Sequence, residues 1–138
     1  MIALPRRCAG VALLLISSAL LAAPKEQPSV GDAKNGEVLY GRCVACHALA
    51  YDRTGPRHCG LIGRKAGTVK GFDYSDAMKR SKVVWSPKTL DEFLANPLKT
   101  VPGTAMGYAG VTDSKERRDL IAYLSEVNES DECKKRSP

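Results

Sequence analysis

The segment Cys43-Val44-Ala45-Cys46-His47 constrains this chain more than any other stretch. It is C-x-x-C-H, the covalent attachment motif for c-type haem. On one helical turn, two thiols three residues apart reach the two vinyl groups of a porphyrin, and the adjacent histidine is carried under the iron as a proximal ligand. A chain with this motif has to fold around a flat, apolar group. Composition agrees: 138 residues suit one domain, yet aromatics are only 6% and include a single Trp, so something besides aromatic side chains must help fill the core.

Other uses of the motif fit less well. A thioredoxin-like pair needs alternating strands and helices, and no such pattern is present. A zinc site could recruit His58 or Cys59, but the usual paired spacings are missing. A disulfide between Cys43 and Cys46 would strain a helical turn and leave His47 without a role.

With His47 on one side of the iron, the neutral candidates for the other side are Met78, Met106 and His58. Met106 lies in the non-periodic stretch Val101-Pro102-Gly103-Thr104-Ala105-Met106-Gly107-Tyr108, where no amphipathic helix buries a thioether, and is favoured. Met78 sits in a short helical turn, where methionine usually fills core space. His58 is eleven residues from His47 and would need a sharp fold-back.

Arg6 and Arg7, then the apolar run from Val11 to Leu21, then Ala22 and Ala23, give the order of a secretory signal peptide. The run is too short for a hydrocarbon core that needs roughly 20 residues. The organisation expected is a signal peptide over 1–22, a flexible segment over 23–30, a folded domain over 31–130 and a free tail over 131–138. Removing the signal leaves 19 Lys and Arg against 15 acids, a formal +4 spread along the chain. That favours an acidic protein partner or transient contact with an anionic membrane surface over nucleic acid. Cys8 leaves with the signal and the haem takes two thiols. Cys59 and Cys133 remain as an even pair in an oxidising compartment, and a disulfide between them is expected.

The rest reads as helix and loop. Asp32 caps a helix over 33–43, and its internal Gly36 implies close approach by another helix. The partner is a helix opened by Asp113 and Glu116 and running to about Val127, with Leu120, Ile121, Tyr123 and Leu124 on its apolar face. Ser86-Pro87 starts another that stops at Asn96-Pro97. Between His47 and Gly71 the closely spaced glycines allow only loops. The fold expected is all-α and single-domain, with long structured loops and terminal helices crossing at Gly36.

These residues resemble the class I cytochromes c, the mitochondrial-type branch and its bacterial relatives. The resemblance spans Gly31 to Glu126 through Thr54-Gly55-Pro56, Gly60-Leu61-Ile62-Gly63-Arg64-Lys65, Trp85, Asn96-Pro97, Pro102-Gly103-Thr104-Ala105-Met106 and Asp119-Leu120-Ile121-Ala122-Tyr123-Leu124. It implies His47 and Met106 as axial ligands, Pro56 orienting His47, Thr104 bracing the methionine side, and Arg64, Tyr74 and Trp85 around a buried haem propionate. The chain also departs from the family pattern. Phe93 stands for the usual Tyr near the ligating sulfur and Met78 for a common Asn, and His58-Cys59 interrupts the stretch between Pro56 and Gly60 where the family usually has a Leu packing near the proximal ligand. Ala105 and Leu98 thin the lysine-rich docking face.

An iron with two protein ligands has no open position for substrate. The function expected is therefore a soluble, monomeric, periplasmic one-electron carrier with one covalent haem c, passing electrons between redox protein partners and not an enzyme. The alternatives are a haem subunit held in a larger redox complex, or a ligand-binding or peroxidatic haem protein from which Met106 dissociates.

Overall fold

The computed structural model describes residues 30–135. The expected signal peptide, residues 23–29 and the last three residues of the tail lie outside the described residues. Six helices follow in chain order: α1 Ala33–Tyr40, α2 Asp76–Arg80, α3 Pro87–Ala95, α4 Pro97–Thr100, α5 Ser114–Glu129 and α6 Asp131–Lys134. The β structure among the described residues is one isolated antiparallel bridge, Lys65 with Val84. None of the described helices is long and apolar enough to cross a membrane.

The α1 helix starts where Asp32 accepts from the backbone N–H groups of Lys34 and Asn35, filling donors that a helix start leaves open. It ends at Tyr40, three residues short of the expected Cys43. There the winding tightens: Gly41, Arg42 and Cys43 each donate to the carbonyl three residues back, as final helical turns often do. His47 N–H then returns to the carbonyl of Cys43, four residues back, at 2.8 Å. The attachment motif is thus a compact turn hung from the end of α1.

The terminal helices cross as the sequence predicts. Gly36 is buried, and a Cβ there would collide with the Asp119 carbonyl and the Tyr123 Cβ. Only glycine lets the two backbones come this close. The start of α1 is also tied polarly: buried Asp119 accepts from Asp32 N–H at 2.9 Å, Asn35 Nδ2 at 2.7 Å and Lys115 Nζ at 2.6 Å. On the inner face of α5, Leu120 and Leu124 are almost fully buried, each worth roughly 1.5–3 kcal/mol relative to exposure.

The α3 start matches expectation: Ser86 and Thr89 cap one another reciprocally, with Pro87 in the first turn. The expected stop at Asn96-Pro97 is found, and it is also a restart. Asn96 closes α3 and caps α4 by accepting from Lys99 N–H at 3.0 Å, and proline suits a first helical turn because its missing N–H would have no partner there.

The segment after Ser130, expected as a free tail, is helical and docked as far as Lys134. Ser130 caps α6, and Cys133 is fully buried. A four-residue helix leaves too little periodicity to read from sequence.

Candidate haem site

A cavity of about 440 Å³ opens between the attachment turn, the loops after it, α3 and the inner face of α5. Cys43, Cys46 and His47 line it together with Arg64, Tyr74, Trp85, Met78, Phe93, Met106 and Leu120. Every expected haem-contacting residue therefore reaches one space. The walls are mostly apolar, as a planar macrocycle with its polar groups at one edge requires.

His47 is held at its back. Its Nδ1 lies 2.8 Å from the Pro56 carbonyl oxygen, so Nδ1–H donates and Nε2 keeps the lone pair that a metal takes. Burial pushes the His47 pKa down, which also favours the neutral, ligating form. Gly55 runs against the ring closely enough that a Cβ would collide with it. Of the two thiols, Cys43 is half-buried and raised by desolvation, while Cys46 is exposed.

One buried charge lining the cavity is only partly satisfied. Arg64 donates from Nη1 to the Cys59 carbonyl at 3.0 Å and from Nη2 to the Arg57 carbonyl at 2.9 Å. Its Nε is buried with no hydrogen-bond partner. Burial lowers its pKa, and nearby Tyr74 is raised by burial. A buried guanidinium nitrogen facing no acceptor is costly unless an anion fills the gap. A haem propionate is an anion of the right kind, and Tyr74 and Trp85 stand at the same wall. The residues present fit the group.

Two methionines line the cavity besides the two thiols. Met78, on α2, is buried in the apolar cluster; Met106 is half-buried on an irregular loop, where its backbone N–H donates to Thr104 Oγ1 at 3.2 Å. His58 is placed differently from what a second axial ligand needs. Its ring stacks on His47, with centroids 4.3 Å apart and planes 23° from parallel, so it lies beside that ring and not across an iron from it. Sequence reasoning weighed His58 only as a ligand; the signal for its other role was its place in a stretch where the family usually has a leucine near the proximal ligand.

Cys59 and Cys133 are paired as a disulfide, with Cα atoms 4.8 Å apart across a sequence separation of 74. Next to the attachment motif, Arg42 is bonded to both carboxylate oxygens of Glu116, at 2.7 and 3.0 Å. Arg53 donates to the Val44 carbonyl at 2.6 Å.

Paired thiols beside a back-bonded histidine, an apolar slot and an arginine awaiting an anion define a protein of the covalent-haem, c type. Cytochrome c type-1 of Ascaris suum is 47% identical over 108 residues, covering 76% of this chain and 92% of that protein. Cytochrome c2 of Blastochloris viridis is 39% identical over 112 residues, covering 79% and 88%. Among solved structures, cytochrome cH from Methylobacterium extorquens matches with a TM-score of 0.68 at 42% identity, over 70% of this chain and 99% of that one. No family model matches. The chain belongs to the class I cytochromes c. It is accordingly an electron-transfer protein and not an enzyme, with one covalently bound haem c.

Proposed function

We propose that this chain is a soluble, monomeric, periplasmic one-electron carrier, exported by the segment over 1–22 and ligating its haem iron through His47 and Met106. When bound, the haem supplies a one-electron couple. Cys43 and Cys46 hold it covalently, and Pro56 fixes the protonated nitrogen of His47 so that the other nitrogen faces the metal. Arg64, Tyr74 and Trp85 neutralise and hydrogen-bond the propionate that would otherwise be a bare buried charge. The apolar walls built by Phe93, Leu120 and Met78 keep water from the iron. Low polarity and a thioether ligand disfavour extra positive charge on the metal, which raises the reduction potential.

The observation that carries this reading is that a histidine back-bonded at Nδ1 and a loop methionine braced by Thr104 open onto one apolar cavity. Visible spectroscopy tests it. Met106→Ala removes the sulfur-to-iron charge-transfer band at the red end and lets cyanide bind readily, whereas Met78→Leu keeps the band. Retention of the band in Met106→Ala would pass the ligand role to another residue. Export is tested by fractionation: mature protein shortened by about 22 residues appears with periplasmic markers, and recovery at full length in the membrane fraction would refute it.

A further inference from the structure

The structure anchors His58 from several directions. Tyr40 Oη and His58 Nδ1 are hydrogen-bonded at 3.1 Å. The His58 N–H donates to the Ala48 carbonyl at 3.0 Å. Its own carbonyl accepts from Leu61 N–H at 3.0 Å and from Asn128 Nδ2 at 3.3 Å. The next residue, Cys59, is tied to α6 through Cys133. All of this steadies one ring, and that ring lies flat against His47 at 4.3 Å.

The hydrogen bond to Pro56 fixes one atom of the His47 imidazole, and the Gly55 backbone crowds the ring edge next to it. A flat partner of fixed orientation against the ring face restricts the rotation that remains. We propose that His58 is a positioning residue that sets the plane of the His47 ring, through a rigid chain running from Tyr40 on α1 to His58 and on to His47. This rests on His47 ligating the iron. Its consequence is electronic. Together with the other axial ligand, the plane of an axial imidazole sets which iron d-orbital holds the unpaired electron of the ferric state, and so how spin density is spread over the macrocycle.

Proton NMR of the ferric holoprotein reads that plane directly, through the order and spread of the four haem-methyl shifts. His58→Leu redistributes these shifts, His58→Phe, which keeps a flat ring but loses the hydrogen bond to Tyr40, moves them no further than Tyr40→Phe does, and the exposed control Val38→Ala changes nothing. Tyr40→Phe, which removes only the hydroxyl, moves the shifts the same way as His58→Leu by a smaller amount, and it stands in if His58→Leu does not fold. A wild-type pattern in both His58→Leu and Tyr40→Phe would overturn the proposal, as would equal disturbance by His58→Leu and His58→Phe. If the wild-type protein shows no strongly shifted proximal-imidazole protons, ligation by His47 itself fails. If it shows them and they are unmoved in His58→Leu, only the positioning role fails.

Discussion

Asp119→Asn probes the latch that holds the start of α1 against α5. The wild-type carboxylate is held down to about 2 from its usual 3.8, first by Lys115, then by the Asp32 N–H and the Asn35 amide. Each pH unit of such a shift corresponds to 1.36 kcal/mol, so the depression sets a ceiling of roughly 2.4 kcal/mol on what ionisation contributes at neutral pH. The side chain is only 3% exposed, but Lys115 is 66% exposed and solvent beyond it screens the pair. The expected loss is therefore nearer about 1–2 kcal/mol. Because the folded state lowers this pKa, the contribution is complete above the unfolded value near 3.8 and disappears as pH falls through 2. Guanidinium unfolding of both holoproteins, followed by circular dichroism at pH 7, 4 and 2, gives the difference directly. Wild type is more stable at pH 7 and at pH 4, and the gap closes towards pH 2. A gap of the same size at all three pH values would show that Asp119 acts through shape alone and would refute the charge argument.

Gly36→Ala should destabilise the fold by about 1–3 kcal/mol, because its Cβ meets the Asp119 backbone and not a yielding side-chain tip; thermal melts check this. Mass spectrometry of the non-reduced mature protein should find no alkylatable thiol at Cys59 or Cys133. Replacing both with Ser should lower stability by up to about 4 kcal/mol, the chain-entropy value for a loop of this length. Electron transfer to a physiological partner should depend on salt only weakly to moderately, since Glu116 already offsets the charge of Arg42, while Arg53, bonded to the neutral Val44 carbonyl, keeps its charge at the surface. A steep fall in rate with ionic strength would contradict this.

The parts legible in the sequence were those fixed by local chemistry. A C-x-x-C-H turn, an aspartate before a helix and a glycine inside one each have few physical explanations: Asp32 caps α1 and Gly36 lies at the helix crossing as read, and Cys43 to His47 form a compact turn. Other features depended on partners distant in sequence. Glu116 looked like half of a capping box, but its carboxylate turns away to Arg42, 74 residues earlier in the chain. The α4 and α6 helices are too short to show a period, and only the side-chain caps of Asn96 and Ser130 hint at them. His58 was the hardest to place, because a histidine near a metal motif suggests a ligand, and only coordinates show that its flat face meets another imidazole.

The crossing of α1 with α5 also bears on timing. Asp32 and Asp119 are 87 residues apart, so a chain emerging from its N-terminus presents Cys43, Cys46 and His47 long before the helix that walls them in exists. Through that interval the thiols stand open to whatever machinery forms thioether bonds. Residues 119–124, which supply the last wall of the cavity, come only afterwards. The topology therefore permits attachment before enclosure, without any separate gate.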